Sequence, residues 1–192
     1  MEFLSMQELC ITIIQCFVMF ANSLCCDRQI DDRFGFLCPN VVQSVGNTRE
    51  DRISYIGSTI KEGNKQCWLA PIREGNHWTL CAICPKSNII YWFDSLGGEQ
   101  NDDIEKIFTE ALEMYHIIRE KNTKWLRLNY RHQLGYKECG YYVMGYMYDI
   151  IDLNRVHLLD THFKNLECYT QEDINFIRNM WSDFFLRLMR GT

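Results

Sequence analysis

The sequence predicts an α+β domain, a mainly antiparallel sheet flanked by helices. Three observations lead there: short runs rich in aromatic and β-branched residues cluster mid-chain, helix-period apolar patterns stand on both sides of them, and a four-residue connection joins two runs as a hairpin. At 192 residues, with 47% hydrophobic and 14% aromatic content, the chain forms a single domain over 1–192 with a sizeable core.

Leu9, Ile13, Phe17, Ala21 and Leu24 recur at spacings of four and three, predicting a core-facing helix over residues 6–25. Residues 27–52 mix charges with Gly35, Pro39, Gly46 and Asn47 and read as loop. A short helix is expected within 53–66. Strands follow at Cys67–Ile72, Trp78–Cys84 and Ile89–Phe93, with Pro85-Lys86-Ser87-Asn88 turning the last two into a hairpin. Asp102 and Glu105 form a capping pair ahead of a helix over 102–120, and Trp125–Tyr130 reads as another strand. After the polar stretch Arg131–Glu138, Cys139 opens a buried helix carrying Tyr141–Ile151. Thr170 and Asp173 cap a last amphipathic helix bearing Ile174, Ile177, Trp181, Phe184 and Leu188.

Composition narrows the function classes. The 20 basic and 25 acidic residues, net charge -5, argue against a basic face that holds nucleic acid. The apolar run Cys10–Phe20 is too short to span a membrane, and Glu2 and Glu8 stand where a secretory leader has basic residues. Ten cysteines are too sparse for a disulfide-stapled secreted scaffold, so the expectation is reduced thiols, a monomer and a place in nucleus or cytoplasm. Cys81 and Cys84 make a C-x-x-C, but positions three apart on a strand point to opposite faces, and no second pair has zinc spacing. No metal or cofactor is expected.

Chemistry concentrates at element ends. His77 follows the turn Arg73-Glu74-Gly75-Asn76 and precedes a strand; alone, a histidine there is more often structural. Asp94 ends the hairpin's second strand, which brings it beside His77, where a carboxylate fixes the imidazole tautomer and frees the other nitrogen. The plainer reading is a strand-ending Asp in a turn with Ser95, Gly97 and Gly98. Cys139 begins a helix, where free N–H groups and the dipole favour thiolate, and its own N–H can donate to an oxyanion. Gly140 permits close substrate approach, and the Gln133 amide can supply a second donor. The other nine cysteines, with His116, His157 and His162, read as core, structural or solvated; His132 neighbours Gln133 without an evident carboxylate.

Taken in order, Pro71-Ile72, His77-Trp78-Thr79-Leu80, Tyr91-Trp92-Phe93-Asp94-Ser95-Leu96 and Gln133-Leu134-Gly135-Tyr136-Lys137-Glu138-Cys139-Gly140 resemble the ubiquitin-like-specific protease family, the SUMO-protease-type cysteine peptidases, and most of all their plant and transposon-associated members. The likeness runs over about residues 4–190. It implies a papain-like cysteine protease architecture of that type, with Cys139 as nucleophile, His77 as base, Asp94 as its orienter and Gln133 in the oxyanion hole. It further implies hydrolysis after the Gly-Gly tail of SUMO or another ubiquitin-like modifier, from precursors or conjugates, with Trp78 lining the channel for the tail. One departure stands out: the family's first helix often opens with Trp-Leu-x-Asp, and aligning Leu9 puts Glu8 at the tryptophan and Ile11 at the acid. A clamp lost in this way leaves a different tail open, as well as a module that binds a modifier without useful turnover.

Overall fold

Strict two-residue alternation in the central strands sets the architecture. In β2 (Cys67–Glu74), β3 (His77–Cys84) and β4 (Ile89–Phe93), residues Cys67, Leu69, Trp78, Leu80, Ala82, Cys84, Tyr91 and Phe93 face one core, while Trp68, Ala70, Ile72, Cys81, Ile83, Ile90 and Trp92 face a second. Both faces are covered, so the strands read as continuous apolar runs. The first core is closed by α1 (Ile11–Asp27), α5 (Cys139–Leu153) and α7 (Gln171–Arg190), the second by α2 (Pro39–Val42), α3 (Arg49–Gly63) and α4 (Asp102–Met114). β1 (Phe34–Phe36), β5 (Lys124–Arg127) and α6 (Leu159–His162) complete the elements. This computed structural model describes residues 8–98, 100–118, 123–128, 130–154, 156, 159–163 and 167–190, at 160 and 162 the backbone alone. Glu2, His157 and the first two residues of the helix expected from position 6 lie outside the described residues.

The sheet order is β1-β2-β3-β4-β5, antiparallel through β2-β3-β4. Its two short outer pairs, β1 with β2 and β4 with β5, are parallel, so the expected mainly antiparallel sheet carries parallel edges. Parallel neighbours need a long crossover. Here α2 and α3 supply the first, and α4 the second.

Other differences also have local causes. Residues 27–52 are not simply loop: they hold β1, α2 and the start of α3. The three residues of β1 become a strand through pairing with Cys67–Leu69, a partner that local sequence cannot show. α3 begins at Arg49 because Thr48 and Asp51 form a reciprocal capping box. α4 is capped by Asn101, whose side chain accepts from the Asp103 N–H, and it ends at Met114, leaving His116 beyond it at φ 53°. β5 stops at Arg127, short of the expected Tyr130. The Thr170–Asp173 reciprocal cap heads α7 as expected.

Candidate active site

The site lies along the rim where β3 begins and β4 ends. The tight β2–β3 turn pairs Glu74 with His77 and starts β3 at the imidazole, while Asp94 follows the last residue of β4, one position beyond the Leu80–Phe93 pair. His77 Nε2 donates to Asp94 Oδ1 at 2.7 Å. The backbone N–H groups of Leu96 (2.8 Å, to Oδ1) and Gly98 (3.1 Å, to Oδ2) complete the carboxylate's shell. A Cβ on Gly98 would sit 2.5 Å from Asp94 Oδ2, so a bare glycine backbone is what lets this chain close on the acid.

The electrostatics follow from that packing. Burial alone would lower the His77 pKa, but the hydrogen bonds to Asp94 and to Cys139, with the charges of both, outweigh it and carry the imidazole up to about 9. Burial likewise pushes Asp94 upward, and the His77 hydrogen bond, the two backbone donors and the imidazole charge overcome it, holding the carboxyl below its ordinary value.

Cys139 is the first residue of α5, and Glu138 before it makes no side-chain cap. The first intrahelical bond from the α5 N-terminus is Tyr142 N–H to Glu138 carbonyl, so the earlier N–H groups, that of Cys139 included, have no partner within the helix. The thiol donates to the carbonyl of Asn76, the residue before His77, at 3.8 Å, and the sulfur interacts with the His77 ring closely enough to raise the imidazole's pKa. With Nε2 engaged by Asp94, Nδ1 is the nitrogen left for the sulfur. Three thiols away from the site are pushed upward. Burial pushes Cys25 up to about 12 and Cys81 well above the usual thiol range, while a hydrogen bond to Cys84 across the strands, together with burial, does the same for Cys67. Cys81 and Cys84 face opposite cores.

Gln133 is buried on the segment between β5 and α5. Its N–H donates to the Ser95 carbonyl at 2.9 Å, Ser95 Oγ donates to its Oε1 at 2.5 Å, and its Nε2 donates to the Gly135 carbonyl at 2.8 Å. Tyr146 and Tyr142, one turn apart on α5, donate to the carbonyls of Arg131 (2.7 Å) and His132 (3.2 Å). One helix therefore presents Cys139 and also holds the segment that carries Gln133.

The structure brings His77, Asp94 and Cys139 together and sets Gln133 on the loop that leads into Cys139. Trp78 is 1% exposed, with its Nε1 donating to the Leu9 carbonyl at 2.9 Å. A Cβ on Gly140 would stand 3.0 Å from Leu9 Cβ, so the Leu9 side chain lies against Gly140 while its carbonyl accepts from Trp78. Glu8 is exposed. The His132 ring lies beside Gly97. Residues that sequence reasoning passed over are Ser95, Tyr142 and Tyr146. Ser95 directly follows Asp94, and the two tyrosines stand four apart, a spacing that reads as core.

Among the described residues, no group of three or more His, Cys, Asp or Glu could hold a metal ion, and no helix is long and apolar enough to cross a membrane.

The family model described as the Ulp1 protease family, C-terminal catalytic domain, matches residues 59–184. Comparison with curated protein sequences gave no match. Among solved structures, a de-sumoylating protease is similar at TM-score 0.66 and 18% identity, over 94% of this chain and 76% of that one. The Xanthomonas campestris effector protein XopD bound to ubiquitin is similar at TM-score 0.66 and 12% identity, over 92% and 91%. The yeast C-terminal Ulp1 protease domain in complex with Smt3, the yeast ortholog of SUMO, is similar at TM-score 0.66 and 17% identity, over 94% and 77%. At these identities the likeness is one of fold.

Proposed function

Because this chain belongs to the Ulp1 protease family of cysteine peptidases, we propose that it hydrolyses the bond after the C-terminal Gly-Gly of SUMO or another ubiquitin-like modifier. The observation that carries the reading is the His77–Asp94 hydrogen bond of 2.7 Å with the Cys139 sulfur beside the same ring, at the open start of a helix. Complexes of two structural relatives, one with Smt3 and one with ubiquitin, support the class of ligand.

In this reading His77 takes the Cys139 proton at Nδ1, and the sulfur attacks the carbonyl carbon of the terminal glycine. The C=O pair moves onto oxygen, where the Cys139 N–H and the Gln133 carboxamide receive the charge. Collapse expels the amine, which takes its proton from His77 and leaves a thioester on Cys139. Water, deprotonated by His77, then attacks the thioester; the modifier's carboxylate leaves and the thiol is restored. Asp94 holds the imidazole in the tautomer that each transfer needs. Trp78, whose indole N–H donates to the Leu9 carbonyl, and Gly140 stand on the side of the site assigned to the tail.

The charge balance favours a protein tail over nucleic acid, and this reading places the chain as a monomer away from membranes, in nucleus or cytoplasm, where ten thiols stay reduced. Incubation with a panel of ubiquitin-like modifiers bearing an electrophilic C-terminus should label Cys139 and leave Cys139→Ala unlabelled. No labelling of folded protein by any of them sinks the reading. The lost first-helix clamp, with an exposed Glu8 at the position aligned to its tryptophan, favours a second one, a module that binds a modifier without turnover. Modifier binding unchanged in Cys139→Ala, with no cleavage by the parent chain, would select it.

A further inference from the structure

We propose that Ser95 is a positioning residue that sets which end of the Gln133 carboxamide faces the reacting carbonyl. The inference rests on the oxyanion role given to Gln133 above. A carboxamide is nearly symmetric in shape and opposite in charge at its two ends, so a donor to an oxyanion is useful in one orientation only. Turned over, it would direct a carbonyl dipole at a developing negative charge.

Two partners fix the choice. The Ser95 hydroxyl, on a residue 1% exposed, donates to Gln133 Oε1 at 2.5 Å. On the other side the Gly135 carbonyl, which can only accept, takes one Nε2 hydrogen at 2.8 Å and leaves the second hydrogen free. A turned amide would set Oε1 against the Gly135 oxygen. The backbone is tied at the same place, since Gln133 N–H donates to the Ser95 carbonyl. Ser95 thus holds Gln133 by both main chain and side chain. It also follows directly on Asp94, so one short segment orients the imidazole through its acid and the carboxamide through its hydroxyl.

The test uses the full chain and a SUMO substrate with a fluorogenic amide at its C-terminus. Ser95→Ala is expected to lower kcat about tenfold at unchanged KM, part of the roughly 10²–10³-fold that one oxyanion donor supplies. Ser95→Cys, of similar size and a poor donor, should behave alike and guards against a folding defect in the alanine variant. In a Gln133→Ala background, Ser95→Ala should cost nothing further, because its effect passes through the missing amide. Amide NMR gives a readout free of activity: the Gln133 carboxamide pair, assigned by its loss in Gln133→Ala, should shift or broaden in Ser95→Ala and Ser95→Cys. An unchanged carboxamide pair, or an additive loss in the double variant, overturns the proposal. Should the parent chain hydrolyse no modifier, the proposed function fails on its own, and the NMR comparison still decides the orientation.

Discussion

Replacing Asp94 with Asn probes the charge of the site while almost preserving its shape. The carboxylate receives three donors: His77 and Leu96 at Oδ1, and Gly98 at Oδ2. Asn offers one oxygen and one NH2, so whichever way it turns at least one donor meets another donor. The cheaper orientation keeps the oxygen toward His77 and Leu96 and gives up Gly98 together with the negative charge. Burial, which Asp94 opposes, then acts on the imidazole with less resistance, and the His77 pKa should fall from about 9 toward 6.5. The difference between those values corresponds to roughly 3 kcal/mol of preference for the charged ring, which is 26% exposed. Because the folded value lies above the ordinary one, this stabilisation is complete below about 6.5 and is lost as pH rises through about 9. Urea unfolding should therefore show the parent losing up to about 3 kcal/mol across that window and Asp94→Asn staying nearly flat. Turnover should drop by ~10²–10⁴-fold, the range for an acid that orients a catalytic histidine. NMR titration of the imidazole carbons reads the His77 pKa directly. An unmoved pKa in the variant, or a parent stability that ignores pH between 6.5 and 9, refutes the reasoning.

Two further outcomes follow from the packing around this centre. Gly98→Ala should lower kcat about tenfold, because its methyl would press on Asp94 Oδ2, and that carboxylate cannot retreat without loosening His77; steady-state kinetics at normal far-UV circular dichroism would check it, and full activity would count against it. Leu9→Ala should cost about 2–5 kcal/mol as a buried large-to-small change, because the side chain is 1% exposed and stands against Gly140. Urea unfolding would check it, and an unchanged midpoint would count against that packing.

The sequence makes the central strands legible because burial on both faces makes β2, β3 and β4 apolar along their whole length. The cluster of His77, Asp94 and Cys139 can be read because each stands at an element end and hairpin geometry joins the first two. β1 and β5 are harder, being three and four residues long and formed by partners distant in the chain. α2 and the start of α3 hide in a segment whose charges and turn formers suggest loop, although Thr48 and Asp51 carry the signal of a capping box. Ser95 resists sequence reading for a different reason: a serine after a strand-ending acid suits a turn, and only the return of the chain at Gln133 reveals what its hydroxyl holds.

The separation in sequence between the parts of the site bears on the order in which it forms. His77 and Asp94 are 17 positions apart across a single hairpin, whereas Cys139 stands 63 positions from Asn76, the residue whose carbonyl it meets. Closing the longer loop costs about 1 kcal/mol more chain entropy, and it must wait for the rim segment and the first turn of α5. During synthesis the thiol emerges about 45 residues after Asp94, a delay of a few seconds at roughly 5–20 residues per second. Until then the half-made protein carries the His77–Asp94 pair without Cys139 beside it. In the proposed reading, the base and its acid are therefore complete in the growing chain before the nucleophile they serve has been made.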